Sequence, residues 1–250
     1  MSPFRALSVA IAKDWTRDRI GLFFSFAFPL VFLVIFGLIF HGQSYHGRPY
    51  ISFIAPGVMC WAVANGSMFW VAYWAVEWRE TGVLRRIRLS PVSLGTLLSS
   101  RYVISIGSGL IQVVFFIAIA LLPFFGLSLA ASAAIAILPL FLGMSAFFGI
   151  GLLIGATVRS AGAVTAVGNI VILPMAFLSG TFVPLAELPK WLQDVTYAFP
   201  LRYMLDSVDP LLGGHAPLAP TVWPILVLFG CAAVFGLIAL RTFRWNGSER

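Results

Sequence analysis

Apolar residues run along this chain in long blocks separated by short polar joints. Six blocks are long enough to cross a bilayer, which takes about 20 residues of helix. They lie at about Ile20–Phe40, Ser52–Val76, Tyr102–Phe125 and Ala131–Val158, from Ala161 into Pro174, and at Thr221–Leu240. Pro29, inside the first block, should kink that helix or mark a close helix contact. Trp70 and Trp74, near the end of the second, suit an aromatic belt at the membrane interface. Ahead of these blocks, residues 2–18 place Phe4, Leu7, Ile11 and Trp15 at three- and four-residue steps, with Arg5, Lys13 and Arg17 directed elsewhere. Too polar to span, that stretch reads as an amphipathic helix lying in the interface.

Composition agrees with the blocks. Of 250 residues, 60% are hydrophobic and 10% charged, with a mean hydropathy of +0.97. A soluble domain carries about 25% charged residues, so a soluble enzyme and a disordered chain are both excluded. The fold class is an all-α integral membrane protein with six transmembrane helices, a single domain over residues 1–250. The charged residues that interrupt the first 19 positions also argue against a cleavable signal peptide.

The net charge of +7 invites a nucleic-acid reading, but the basic residues are scattered over loops and form no groove-lining face. With the amino terminus inside, only Arg48, Lys190 and Arg202 of the 16 basic residues fall outside. That asymmetry is the positive-inside bias, so nucleic acid is not an expected partner. Both termini are then expected to be cytoplasmic. The charged loop after the second block and the Pro-rich loop after the fifth do not match, which argues against an inverted-repeat transporter.

Candidate chemistry is sparse. Neither Lys13 nor Lys190 ends a Gly-rich loop, so no phosphate-cradling loop is present. His41, His46 and His215 are scattered over outside joints and predict no metal site. Cys60 and Cys231 lie within apolar blocks and read as small buried hydrophobes. No catalytic set is visible, and an enzyme is not expected. Asn65, Gln112 and Asn169 are the strongly polar residues within spans. They serve either helix contacts, the favoured reading, or a substrate pathway. Gly151 and Gly155, four apart, allow close helix packing.

Two joints carry more. Residues 77–91 combine Glu77, Glu80 and Thr81 with Arg85, Arg86 and Arg88, and interleave them with Val83, Leu84, Ile87 and Leu89. Gly82 permits a bend and Ser90-Pro91 stops a helix. Two carboxylates, three arginines and exposed apolar residues suit a protein docking surface as well as a lipid surface. The second joint, residues 179–205, is too apolar for a wet loop. Since irregular backbone at membrane depth must be buried in protein or line a cavity, a re-entrant hairpin forming an outer gate is expected. Its candidate residues are Thr181, Phe182, Pro184, Glu187, Trp191 and Arg202.

The run from Glu80 through Thr-Gly-Val-Leu-Arg-Arg-Ile-Arg-Leu-Ser-Pro-Val to Ser93 resembles the permease subunits of type 2 ABC exporters. The resemblance recurs in the stretch Phe177–Leu192, which contains Ser-Gly-Thr-Phe-Val-Pro, and in Phe199-Pro-Leu-Arg-Tyr203. It implies that residues 77–91 form a coupling helix seated in a cleft of a separate ATPase subunit. It also implies an interfacial N-terminal helix near that contact. Two permeases, expected as a homodimer, would join two ATPases, with ATP and magnesium on the partner chain and no cofactor here. The expected function is outward movement of an amphipathic or hydrophobic substrate, drug- or lipid-like, across a bacterial cytoplasmic membrane. A lipid-linked polysaccharide is the alternative cargo. A non-transporting scaffold or channel subunit is the alternative from another class.

Overall fold

The structure, a computed structural model, describes residues 3–40, 42–45, 48–83, 89, 92–123, 125, 129–213 and 219–242. Among them are six helices long and apolar enough to cross a membrane. They are the first span Arg19–Ile39, the second Tyr50–Glu80, the third Leu94–Ala120, the fourth Ala131–Thr157, the fifth Ala161–Leu178 and the sixth Ala219–Thr242. A two-residue antiparallel ladder, Ser44–Tyr45 with Arg48–Pro49, closes the connection from first to second span. The chain is an all-α, multi-pass membrane protein.

The second and fourth spans are mostly buried and form the centre, whereas the first, fifth and sixth are mostly exposed. Large apolar side chains such as Ile20, Leu38, Ile170, Phe229 and Leu237 are open on these outer helices, as hydrocarbon-facing surface should be. Lipid supplies little drive for helices to associate, so close backbone approach and hydrogen bonds must do so. At Gly155 a Cβ would come within 2.7 Å of the Ala75 Cβ and 2.9 Å of the Ala72 carbonyl. Only glycine lets the fourth span lie that close to the second. The Tyr102 hydroxyl pairs with the Ser145 hydroxyl at 2.7 Å, joining third to fourth span. The Tyr73 and Thr165 hydroxyls, also 2.7 Å apart, join second to fifth.

In the first span the irregularity expected of Pro29 lies just upstream, as a π-helical turn at Phe23–Ala27. Pro29 itself stands at the start of the following α-helix, Phe28–Ile39, where its missing N–H costs little. The N-terminal helix Pro3–Arg17 packs on the third span. Ile11 is buried against protein while Phe4 stays exposed, so only part of its apolar face is covered within the chain.

Beyond the fifth span the chain makes a single 3-10 turn, Leu185–Glu187, a short helix, Lys190–Thr196, and a longer one, Pro200–Gly213. The last buries Leu201, Met204, Val208 and Leu211 against the second, fourth and sixth spans. Its carbonyl end is received by the start of the fourth span. The Ala130 N–H donates to the Leu212 carbonyl at 2.8 Å, and the Ser132 hydroxyl to the Leu211 carbonyl at 2.8 Å. Pro200 opens this helix and Pro210 sits inside it, so these prolines do not break the segment into loop as their number suggests.

Candidate functional site

Residues 77–91 begin as the last turn of the second span. Glu77 and Glu80 are exposed. The Thr81 hydroxyl donates to the Glu77 carbonyl at 2.8 Å, and Gly82, at φ 70°, turns the chain out of the helix. Arg79 folds back, its guanidinium donating to the Gly155 carbonyl near the end of the fourth span. Arg85, Arg86 and Arg88 lie outside the described residues. Leu89 is 87% exposed. The third span then opens with a cap, the Thr96 N–H donating to the Ser93 hydroxyl at 3.1 Å.

Two turns into that span sits the most unusual side chain of this end. Arg101 is 2% exposed, and its guanidinium lies over three indoles of the second span: Trp70 at 4.6 Å, Trp74 at 4.8 Å and Trp78 at 5.2 Å. Tryptophans four apart stack along one helix face, and a desolvated cation over indole is stabilised by about 2 kcal/mol. The N-terminal helix completes the arrangement through Asp14, whose carboxylate is 3.8 Å from the Arg101 guanidinium. One residue earlier, the Ser100 hydroxyl donates to the Phe4 carbonyl at 3.4 Å. Arg101 thus ties three elements together where the second and third spans converge on residues 81–93. The apolar blocks of the sequence leave Arg101 just ahead of the third span and assign Trp74 to an aromatic belt. The readable signal was the four-residue spacing of Trp70, Trp74 and Trp78 facing a lone arginine.

Of the intramembrane polar residues, Gln112 is buried, and its amide donates to the Ser25 carbonyl in the π-helical turn. That is a helix contact between first and third spans. Asn65 and Asn169 are half-buried.

At the other end of the second span, the residues after Gly180 enter the bundle. Thr181 is fully buried, and Phe182 lies among Phe32, Phe36, Trp61 and Phe177 with ring centroids 5.3–5.8 Å away. A Cβ at Gly57 would stand 2.7 Å from the Thr181 carbonyl oxygen, so backbone meets backbone there. Pro184 is buried as well, but Glu187 and Trp191 are exposed. Arg202 has a separate task. Its guanidinium donates to the Gln193 carbonyl at 2.9 Å and to the Thr196 hydroxyl, stacks 3.9 Å from the Tyr197 ring, and pairs with Asp206 at 3.4 Å. Burial holds the Asp206 carboxyl above the usual carboxylate range, against the opposing pull of Arg202. The six residues expected at an outer gate therefore divide into a buried plug (Thr181, Phe182, Pro184), a staple (Arg202) and two exposed positions.

No cluster of potential metal ligands occurs among the described residues. Known proteins supply the remaining comparison. Over 192 residues the chain is 29% identical to a protein of Cyanophora paradoxa named as a transport permease, ycf38, covering 72% of this chain and 63% of that one. Over 195 residues it is 24% identical to an Escherichia coli K12 protein named as a multidrug ABC transporter permease, YbhR, covering 77% and 52%. The chain thus spans between half and two thirds of the length of these curated relatives. Residues 3–210 match the ABC-2 type transporter family, and the chain, with its six spans and its charged joint between the second and third, belongs to that family.

Proposed function

We propose that the chain is the membrane-spanning half of an ATP-driven exporter, working with a separate ABC ATPase and moving an amphipathic or hydrophobic substrate outward. Residues 77–91 dock the ATPase, and residues 179–205 form the outer gate around Phe182. The N-terminal helix lies in the cytoplasmic interface. Two such chains and two ATPases make the transporter, set in a bacterial cytoplasmic membrane with both termini inside. ATP and magnesium belong to the partner.

The observation that carries this reading is the way residues 77–91 are framed. Arg79 is bonded to the Gly155 carbonyl on one side, and Arg101 is held among three indoles and Asp14 on the other. A push delivered to a segment so anchored moves the second, third and fourth spans together, whereas a slack loop would absorb it. Exposed Glu77 and Glu80 then set docking orientation more than affinity. Copurification of the chain with its ATPase, followed by substrate-stimulated hydrolysis, tests the assignment. Glu80→Arg is expected to weaken both; if both survive intact, the docking role is wrong.

A further inference from the structure

Between the first three spans, at the end where Arg101 sits, is a cavity of about 30 Å³. Its inner wall is Ser67, Ser105 and Gln112, all buried. Trp15, Phe26 and Trp70 supply aromatic walls, and exposed Asp18 stands at the mouth. The Ser67 side chain, 4% exposed, has no hydrogen-bond partner. Gln112 donates its amide N–H to the Ser25 carbonyl, while its amide oxygen faces Gly66, 3.4 Å from where a Cβ would stand. An unpaired hydroxyl at membrane depth is costly, so this wall is built to meet something polar.

Charge and hydrogen bonding narrow that occupant. A wall that offers the Ser67 hydroxyl oxygen and the Gln112 amide oxygen as acceptors rewards a head with N–H donors, which an ammonium has and a trimethylammonium lacks. Asp18 is the ionisable residue lining the cavity; Arg17 and Arg19 flank it in sequence, and neither lines the cavity. Arg101, which shares the Trp70 ring, has its charge taken up by Asp14 and the indoles. Trp15 and Phe26, their centroids 6.3 Å apart, offer ring surface that favours a cation over a neutral head. The π-helical turn Phe23–Ala27 contributes Ser25 and Phe26, and such turns recur where helices are shaped for ligands.

We infer that this cavity takes the primary ammonium head of an amphipathic amine entering from the Arg101 end of the bundle, its tail running out between first and third spans. The inference rests on the export reading above. It specifies the head group of the substrate and the residues that receive it: the Asp18 carboxylate, the Ser67 hydroxyl and the Gln112 amide oxygen.

The test uses the full chain assembled with its ATPase in lipid vesicles, with dodecylamine, dodecyltrimethylammonium and 1-dodecanol as probes of ATP hydrolysis. Dodecylamine is expected to half-stimulate at a concentration about tenfold below the trimethylammonium probe, the scale of one hydrogen bond to a charged group. Ser67→Ala, which keeps the cavity open, and Asp18→Asn, which keeps the helix cap, should each shrink that preference to about twofold or less. Equal stimulation by all three probes would leave the export reading standing and overturn the ammonium site. A preference for dodecylamine that survives both substitutions overturns it too, the cavity then holding water only. No stimulation by any probe in an assembled transporter would overturn both.

Discussion

The two ends of the second span solve the same problem with opposite chemistry. At Trp70–Trp78 a charge is drawn into the bundle and held by indoles. At Trp61, about 20 Å from Trp74 at 1.5 Å of rise per residue, neutral rings close around Phe182. A guanidinium on ring faces has direction and a partner on another element, so it can report and transmit the position of the N-terminal helix. A ring among rings makes no such demand. It seals, and it can slide or withdraw without leaving a buried charge behind. The contrast fits an end that receives force and an end that opens.

Breaking the seal should have the largest effect. Gly57→Val would drive a side chain into the Thr181 backbone, which cannot swing aside as a side chain could, so the outer segment should be expelled. Cysteine accessibility at position 182 is expected to change from protected to fully labelled. Phe182→Ala leaves the backbone in place but empties the ring cluster. It should cost about 3 kcal/mol in folding stability, unaffected by salt, and raise uncoupled leakage of small solutes in vesicles. At the charged end, Arg101→Lys keeps the charge but loses the flat guanidinium that three indoles share. A loss of about 1.5 kcal/mol is expected, together with weaker coupling of substrate to ATP hydrolysis. The smallest effect belongs to Asp14→Asn. That carboxylate is 69% exposed, so about 0.5 kcal/mol is expected, fading as salt is raised. A salt dependence at Phe182, or none at Asp14, would undo the contrast between the ends.

The sequence showed how many spans there are, because lipid allows few ways to satisfy a backbone and each demands a long apolar run. Two of their ends it misplaced for one reason. Arg101 was read as a loop charge, so the third span was expected to begin at Tyr102, but the helix starts at Leu94 and carries the arginine inside. Glu77 likewise seemed to close the second span, which continues to Glu80 with Arg79 turned back onto Gly155. In both cases a partner on another helix, invisible along the chain, makes the charge acceptable. Ser67 shows the same limit more sharply. One serine among many in a membrane helix, it is distinguished only by what surrounds it. Phe182 was legible as apolar and misplaced for a wet loop, but its ring partners come from three separate elements.

The indole ladder under Arg101 also makes the molecule its own optical gauge. Three of the eight tryptophans share one cation, and that cation's ion-pair partner belongs to the N-terminal helix. If the helix lifts or the third span shifts by a turn, their emission must change colour and intensity. Exposed Trp223, on the sixth span, belongs to neither ring arrangement and serves as a built-in reference, so the Arg101 end can be followed without attaching any label.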